Sequence, residues 1–449
     1  MGKYFGTDGV RGIAGADLTC ELAMKLGRGV AAVLTDSTGR RPRILIGKDT
    51  RQSGDMLEAA LTAGLCSVGA DVEALGVLPT PAVAYLVTKY KADAGVVISA
   101  SHNPMEFNGI KVFASTGYKL PDEVEASIEA HIDNDCRDIP LATGAGVGQV
   151  SYRADGLRDY VDHLYEAIGG DLSGLNICID CANGAAAAVA QKLFPRLGAK
   201  CTFFGVTPDG KNINDGVGST HLEKIEKEVV AGGYDCGIAF DGDADRCLAC
   251  DEKGQEIDGD KIIALLAMMM KAKGALDADT AVVTVMSNLG FIKFMERQGI
   301  HTEKTAVGDR YVLENMRENG YAIGGEQSGH VIFRDFATTG DGQLTAAQLL
   351  SIMKRREAKL SSMTTVMERY PQTMKNIRVS PEGKLAFYTD PKVKQAIDAA
   401  TKTLAGNGRV IVRPSGTEPL LRVMVEGQDL ALIEKIAEDI SEVIKEELV

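Results

Sequence analysis

Short apolar strands that end abruptly in polar loops recur along this chain, and they restrict its fold more than any other feature. The run Val96 to Ile98 predicts a buried strand, and the loop Ser99-Ala-Ser-His-Asn-Pro104 follows it. Pro104 cannot donate to a sheet ladder, so the strand ends before it. Ser101 is therefore predicted at the carboxyl end of a core strand, where open α/β sheets place their sites. The alternative is an ordinary strand-to-helix connection with a capping serine.

Strands and helices alternate through most of the chain. The first unit contains the strand Arg43 to Ile46, and later units contain strands near 175–179, 236–240, 281–285 and 321–324. Such alternation predicts largely parallel sheets between helices. Because these strands lead into polar loops, we interpret the first three units as a degenerate internal repeat of one α/β design.

The pattern changes near Thr373. A strand, the helix Pro391 to Leu404, two further strands and a long C-terminal helix predict an α+β domain. Four domains are therefore expected, three similar mixed α/β domains and one C-terminal α+β domain, at residues 1–150, 151–254, 255–368 and 369–449. The length of 449 residues agrees with this number, since roughly 100–200 residues form one domain.

The formal net charge of −13 argues against a nucleic-acid partner, because phosphate backbones require clustered lysines and arginines. A small anionic substrate remains compatible with this charge, since a local group of arginines can overrule it. The longest apolar run, Ile262 to Met270, has nine residues, whereas a membrane helix needs roughly 20. No secretory apolar segment opens the chain. A cytoplasmic protein without a membrane or nucleic-acid partner is expected.

Nine cysteines lie scattered in apolar surroundings, which fits a reducing compartment. Cys178 with Cys181 and Cys247 with Cys250 have the spacing of zinc-binding pairs. However, both pairs lie in predicted strands, where residues three positions apart face opposite sides of the sheet. Core cysteines are therefore expected rather than a zinc site.

The loop Asp241-Gly-Asp-Ala-Asp245 indicates a cation site, because three adjacent carboxylates repel one another unless a positive charge neutralises them. The twelve residues from Asp241 to Glu252 nearly match a calcium-binding EF-hand loop. Arg246, however, replaces the glycine that its sharp turn requires, and a strand precedes the loop. Mg²⁺ bound to Asp241, Asp243 and Asp245 is the expected arrangement, and a solvated acidic turn is the alternative.

The segment Arg413-Pro-Ser-Gly-Thr417, with Arg422 beyond it, offers guanidinium groups, hydroxyls and exposed backbone N–H groups. These groups are typical of a phosphate-binding site. A plain hairpin loop is the alternative. In the loop Gly325-Glu-Gln-Ser-Gly-His330, a carboxylate and a hydroxyl between glycines could bind sugar hydroxyls, although a turn explains that loop equally well.

Ser101 and His102 together could suggest a hydrolase dyad. Adjacent residues in an extended loop point apart, so His102 is not expected to serve as the base for Ser101. We nevertheless include His102 among the candidate catalytic residues.

Taken together, five motifs resemble those of the α-D-phosphohexomutases, in the same order and over essentially the whole chain. They are Thr7-Asp-Gly-Val-Arg11, Ser99-Ala-Ser-His-Asn-Pro104, Asp241-Gly-Asp-Ala-Asp-Arg246, Gly325-Glu-Gln-Ser-Gly-His330 and Arg413-Pro-Ser-Gly-Thr-Glu418. The first and the fourth are most similar to the branch of the family that acts on glucosamine phosphates.

This resemblance implies a fold of four domains around a central cleft, with a mobile C-terminal lid. It implies that Ser101 carries a phosphoryl group and helps the three aspartates to hold Mg²⁺. The remaining implied roles are phosphate clamping by Arg11 and Arg246, proton transfer by Lys111 and His330, sugar binding by Glu326 and Ser328, and binding of the second phosphate by Arg413, Ser415, Gly416, Thr417 and Arg422. An exposed strand residue is the alternative for Lys111.

The implied reaction interconverts glucosamine 6-phosphate and glucosamine 1-phosphate through a sugar 1,6-bisphosphate. Its product would supply bacterial cell-wall precursors. Two other hypotheses remain open: a sister enzyme for glucose or mannose phosphates, and a non-catalytic sugar-phosphate sensor. Small sugar phosphates are the expected partners, and the sequence leaves open whether the chain is a monomer or a homodimer.

Overall fold

The computed structural model describes residues 2–365, 367–415 and 419–449, and in these residues the strands form four sheets. The strands are β1 Val10–Ile13, β2 Arg43–Lys48, β3 Asp71–Val77, β4 Ala94–Ile98, β5 Phe107–Ala114, β6 Val150–Tyr152, β7 Asn176–Asp180, β8 Lys200–Phe204, β9 Cys236–Phe240, β10 Cys247–Asp251, β11 Glu256–Ile257, β12 Thr280–Thr284, β13 His301–Thr305, β14 Ile323–Gly325, β15 Val331–Phe333, β16 Gln372–Arg378, β17 Gly408–Pro414 and β18 Leu420–Gly427.

The helices connect these strands and cover the sheets. They are α1 Cys20–Thr38, α2 Ser53–Ser67, α3 Thr80–Tyr90, α4 Asp122–Asp133, α5 Gly156–Ile168, α6 Ala186–Arg196, α7 Glu223–Gly232, α8 Gly259–Ala272, α9 Leu289–Arg297, α10 Asp309–Asn319, α11 Gly342–Arg356, α12 Leu360–Thr364, α13 Pro381–Ala386, α14 Pro391–Leu404 and α15 Leu430–Leu448. Short 3-10 turns occupy Gly144–Gly146 and Asp277–Asp279. Among the described residues, no helix combines the length and the apolar character needed to cross a bilayer.

The first three sheets share one design. Their orders are β1-β5-β4-β2-β3-β6, β11-β10-β9-β7-β8 and β13-β12-β14-β15. In each, parallel strands form one part, and an antiparallel strand follows the loop at 99–106, 241–246 or 326–330. These loops are too short for the crossover that a parallel neighbour needs, so the next strand turns back. The predicted internal repeat and mixed α/β fold are confirmed.

The fourth sheet is antiparallel, in the order β16-β18-β17. Alternate residues of β18, including Leu421, Val423 and Val425, pack against α14 and α15 in a separate hydrophobic core. The predicted α+β character of the C-terminal domain is confirmed, and α14 has the bounds expected from the sequence. The short helix α13 was not predicted; the Ser380 side chain accepts from the amide of Gly383 and caps it.

Contacts divide the described residues into two compact units. Met1–Met286 and Ile300–Thr365 form the first, and Ser287–Gly299 and Val366–Val449 form the second. Helix α9 belongs to the second unit because the Asn288 amide donates to the carbonyl of Tyr370 at 3.1 Å and accepts from its N–H at 2.9 Å. The four predicted domain boundaries remain predictions.

The four cysteines of the two Cys-x-x-Cys pairs are buried and free. Cys178 and Cys250 lie in an apolar cluster with Ile225 and Val229 of α7. Within the described residues, the only group of three or more candidate ligands close enough to share a metal ion is the aspartate triad. The prediction of core cysteines is confirmed.

Asp341 caps α11 from a buried position. Its carboxylate accepts from the amide of Leu344 at 2.9 Å and from the hydroxyl of Tyr160 at 2.7 Å. Burial raises the pKa of Asp341 to about 6, from an ordinary value of 3.8. The folded state therefore binds this proton more tightly than the unfolded state does. The resulting stabilisation is complete below about pH 4 and is lost as the pH rises through 6.

For Asp341→Asn, we expect a flatter dependence of stability on pH. The wild type should lose about 2 kcal/mol relative to the variant between pH 4 and 7. Thermal unfolding at several pH values measures this loss. Asp36→Asn, at an exposed position on α1, is the control. Parallel pH profiles for the wild type and Asp341→Asn would contradict the assignment.

Candidate active site

Ser101 and Asp241 meet where the loops after β4 and β9 come together. The Ser101 hydroxyl donates to Asp241 Oδ2 at 2.5 Å, and both side chains are buried. The two residues are far apart in the sequence and belong to different sheets. The structure thus brings together the predicted phosphoserine loop and the predicted metal loop.

Ser101 adopts a left-handed backbone conformation, with φ of +54°. This conformation costs a non-glycine residue roughly 1–2 kcal/mol. It also corrects the expectation that Ser101 and His102 point apart, which assumed an extended loop. His102 Nδ1 lies 3.4 Å from Ser101 Oγ. Burial, together with the positive charges of Arg246 and Arg11, lowers the pKa of His102 to about 3, so this ring is neutral near pH 7.

Asp241, Asp243 and Asp245 each place one carboxylate oxygen within 4.8 Å of the others. Among the described residues, no hydrogen-bond partner is found for Asp243 Oδ1 or Asp245 Oδ1, although both atoms are buried. Burial, and then the charges of Asp245 and Asp243, raise the pKa of Asp241 well above its ordinary value. Unpartnered buried oxygens and mutual repulsion are what a bound cation would relieve, so this donor set fits a hard divalent ion.

Two residues near the first sheet, one in α3 and one in β5, orient Asp243. The hydroxyl of Thr80 donates to Asp243 Oδ2 at 2.6 Å, and Lys111 Nζ approaches the same oxygen at 2.9 Å. Burial alone would raise the pKa of Asp243, but Lys111 and Thr80 bring it down to about 2. Asp243 is therefore ionised, and its other oxygen remains available to a cation.

Lys111 is a buried cation rather than an exposed strand residue. Only 2% of its side chain is accessible, and Nζ lies 3.1 Å from Asp8 Oδ2 and 3.6 Å from Asp245 Oδ2. Burial lowers the pKa of Lys111, but Asp243, Asp8 and Asp245 together raise it above the ordinary value. Lys111 consequently stays protonated next to the metal loop.

A chain of alternating acidic and basic side chains leads from Asp8 to the loop after β14. Lys119 Nζ lies 2.8 Å from Asp8 Oδ1 and 2.7 Å from Asp309 Oδ2. His330 Nε2 lies 3.6 Å from Asp309 Oδ2 and 4.0 Å from Asp245 Oδ2. Asp8, Lys119 and Asp309 were not among the site residues predicted from the sequence. Asp8 lies inside the first motif, whereas no local signal marks Lys119.

Arg11 and Arg246 are the candidate phosphate clamps. Arg11 pairs with Asp8, and Arg246 Nε lies 3.9 Å from Asp245 Oδ1. In the described part of the chain, no hydrogen-bond partner is found for the buried Nε atom of either arginine. Each guanidinium therefore has an N–H group from which an anion could accept a hydrogen bond.

The candidate sugar loop follows β14. Glu326 Oε1 accepts from the amide of Gly308 at 3.2 Å, and burial raises the pKa of Glu326. Ser328 is exposed, so its hydroxyl is accessible to a ligand. The loop is a turn between antiparallel strands, as the alternative proposed, and it still presents both polar groups.

The candidate phosphate loop lies in the second unit. Arg413 of β17 and Arg422 of β18 face each other across the antiparallel pair. Burial and the charge of Arg422 lower the pKa of Arg413, as expected for two cations placed side by side. Ser415 is buried, while Gly416 and Thr417 lie outside the described residues. The hairpin geometry is confirmed and is compatible with an anion site.

Four family models match the chain in order. They are the phosphoglucomutase/phosphomannomutase alpha/beta/alpha domain I at residues 2–137, domain II at 158–254, domain III at 258–370 and the C-terminal domain at 374–443. A phosphoglucosamine mutase of Clostridium botulinum is 52% identical over 446 residues, which cover 99% of each chain. A phosphoglucosamine mutase of a Thermoanaerobacter species is 53% identical over 448 residues, which cover 100% of each chain.

Solved structures share the fold. A phosphoglucomutase/phosphomannomutase family protein from Burkholderia thailandensis superposes with a TM-score of 0.83 at 23% identity, covering 99% of this chain and 98% of that one. Aspergillus fumigatus N-acetylphosphoglucosamine mutase, in complex with GlcNAc-6P and magnesium, superposes with a TM-score of 0.64 at 18% identity. The superposition covers 86% of this chain and 94% of that one.

Four matched domains in order, together with a buried serine held against an aspartate triad, define an enzyme of the phosphohexomutase class. Within that class, the chain belongs to the phosphoglucosamine mutase family, as its full-length relatives at 52–53% identity show. The resemblance stated from the motifs is confirmed. The comparisons support neither a glucose or mannose phosphate enzyme nor a sensor.

Proposed function

We propose that phosphorylated Ser101 is the phosphoryl carrier in the interconversion of glucosamine 6-phosphate and glucosamine 1-phosphate. The observation that carries this proposal is the position of Ser101 Oγ, buried and 2.5 Å from Asp241 at the edge of the carboxylate triad. A serine in this position can present a phosphoryl group to a metal and to the two unpartnered guanidinium donors.

In the proposed cycle, the bond between Ser101 Oγ and phosphorus breaks as the 1-hydroxyl of glucosamine 6-phosphate attacks. The sugar hydroxyl loses its proton, and Ser101 Oγ gains one. The resulting glucosamine 1,6-bisphosphate then reverses its orientation and returns its 6-phosphoryl group to Ser101, which leaves glucosamine 1-phosphate. Lys111, which stays protonated, is proposed to donate the proton that Ser101 Oγ gains, and His330 is proposed to accept the proton of the sugar hydroxyl. Both lie within 4.0 Å of the metal-loop carboxylates.

Mg²⁺ is the proposed ion, held by Asp241, Asp243, Asp245 and the phosphoryl group on Ser101. When bound, it would neutralise negative charge on the transferring phosphoryl group. The two unpartnered aspartate oxygens support this assignment. The magnesium in the Aspergillus fumigatus complex supports the choice of ion.

Arg11, His102 and Arg246 are proposed to hold the reacting phosphate. Glu326 and Ser328 would bind the sugar, with Glu326 as a partner for its 2-ammonium group. The other phosphate would bind Arg413, Ser415, Gly416, Thr417 and Arg422, where two adjacent arginines suit a dianion. A site that accepts either phosphate explains how the bisphosphate can be bound in both orientations.

The product is proposed to feed the synthesis of UDP-N-acetylglucosamine for the cell wall, in the cytoplasm and without a nucleic-acid partner. A sugar 1,6-bisphosphate is the proposed activator, since it would phosphorylate an empty Ser101. A homodimer is the proposed assembly, and light scattering on the purified chain at several concentrations would test it.

The direct test follows glucosamine 6-phosphate by ³¹P NMR with the enzyme, Mg²⁺ and a trace of glucose 1,6-bisphosphate. We expect glucosamine 1-phosphate to form faster than the products from glucose or mannose 6-phosphate in parallel samples. Faster conversion of either of those sugars would move the assignment to a sister enzyme. No isomerisation of any sugar would contradict the enzymatic proposal.

A further inference from the structure

A buried ion pair lies beside the Ser101 loop and takes no part in the proposed chemistry. Asp49 and Arg51 follow β2, the parallel neighbour of β4, so both loops lie at the same edge of the first sheet. The Arg51 amide and Nε donate to the two oxygens of Asp49 at 2.9 and 2.8 Å. Only 1% of Asp49 and 2% of Arg51 is accessible. Burying such a pair contributes little to stability by itself.

The remaining donors of Arg51 bind the backbone of the Ser101 loop. The acceptors are the carbonyl groups of Ser101 at 3.0 Å, Asn103 at 2.8 Å, Phe107 at 3.0 Å and Pro104. One planar guanidinium thus binds this loop at three points and also binds the first residue of β5. An ammonium group has neither the span nor the fixed fork geometry to do this.

Asp49 holds the other side of the same residue. The Ser99 hydroxyl donates to Asp49 Oδ2 at 2.6 Å and accepts from the amide of Ser101 at 3.0 Å. The N–H and the carbonyl of Ser101 are therefore both tied to the ion pair. Asn214, in the loop between β8 and α7, donates a further hydrogen bond of 2.9 Å to the Ser101 carbonyl.

We propose that Arg51, acting with Asp49 and Ser99, is a positioning residue that holds Ser101 in its left-handed conformation and so directs the phosphoryl-bearing oxygen toward Asp241. The inference rests on the proposed function. Phosphorylation adds negative charge next to three carboxylates, and the resulting repulsion would push a free loop away. The hydrogen bonds to the backbone on both sides of Ser101 oppose that movement.

Arg51→Lys and Ser99→Ala test this proposal. The proteins are first phosphorylated with glucose 1,6-bisphosphate, and intact mass confirms the modification. Rapid quenching then measures a single transfer to glucosamine 6-phosphate.

We expect Arg51→Lys to slow this transfer about 50-fold and Ser99→Ala about fivefold, because small misplacements of a reacting group carry losses of this order. The KM for the sugar should change less than about twofold, since Arg51 contacts no proposed sugar ligand. The ³¹P resonance of phospho-Ser101 should shift or broaden in both variants.

Arg40→Lys is the matched control. Arg40 forms a two-point pair with buried Asp93, at 3.0 and 2.6 Å, just before β4 and thus at the opposite end of the same sheet from Ser101. Because 59% of the Arg40 side chain is accessible, this substitution should lower the melting temperature less than Arg51→Lys. It should leave the transfer rate and the ³¹P resonance unchanged.

The outcomes separate the two proposals. Wild-type transfer rates and resonances in Arg51→Lys, accompanied only by a lower melting temperature, would overturn the positioning role. If Arg51→Lys does not fold, Ser99→Ala decides: slower transfer at unchanged melting temperature supports the role, and an unchanged rate overturns it. A wild-type protein that never accepts phosphate on Ser101 would instead overturn the proposed function.

Discussion

Ser101→Ala is expected to reduce the interconversion of glucosamine phosphates by roughly 10⁴-fold or more, because the covalent phosphoryl carrier is lost. Alanine and serine are about equally strained at the positive φ of this position, so the backbone should be retained. The variant should take up no phosphate from glucose 1,6-bisphosphate. Coupled assays of product formation and intact mass measure the two effects.

Ser351→Ala is the control for this experiment. Ser351 is also buried, 4% accessible, but it lies within α11. We expect both phosphate uptake and turnover close to the wild type. A Ser101→Ala protein that still becomes phosphorylated and turns over would assign the carrier role to another residue.

Asp243→Asn is expected to weaken Mg²⁺ binding and to lower turnover about a thousandfold. The substitution keeps the shape of the side chain but removes one of the three charges that attract the cation. It also leaves buried Lys111 with a weaker partner at 2.9 Å. Calorimetric titration of the free enzyme with Mg²⁺ gives the affinity independently of turnover.

Asp251→Asn provides a matched comparison in the same sheet. Asp251 is buried at the end of β10, where it accepts from the amides of Lys253 and Gln255 at 2.9 Å. The variant should bind Mg²⁺ and turn over normally. Normal Mg²⁺ affinity in an inactive Asp243→Asn protein would show that Asp243 acts by orienting Lys111.

The chemistry of the loops was largely predictable from the sequence. The strand before Ser101 was apparent as the β-branched run Val96 to Ile98. The strands before Asp241 and Glu326 were apparent as short apolar segments that contain glycine. Chain polarity then places the loop at the carboxyl end of its strand. The helix Pro391–Leu404 could likewise be located from a local pattern, namely its periodicity and its first-turn proline.

The backbone of Ser101 and the placement of α9 were not predictable. Local preference disfavours a positive φ at serine, and donors distant in the sequence, such as Arg51 and Asn214, bind the Ser101 carbonyl. Helix α9 follows a strand of the third sheet but joins the C-terminal unit, because the partner of Asn288 is Tyr370, far along the chain.

The sequence by itself determined the order of strands and helices, the repeated α/β design and the polar loops that carry the candidate chemistry. These features depend on periodicity and residue type within a few neighbouring positions. Only the tertiary structure decided that Lys111 is buried among Asp8, Asp243 and Asp245, and that Lys119 bridges Asp8 to Asp309. Such pairings join residues that are distant in the sequence, and those with Asp243 and Asp309 join different α/β units. They form because burying a charge is costly unless an opposite charge lies beside it. Which residues become neighbours depends on tertiary packing, so the local sequence does not predict these pairs.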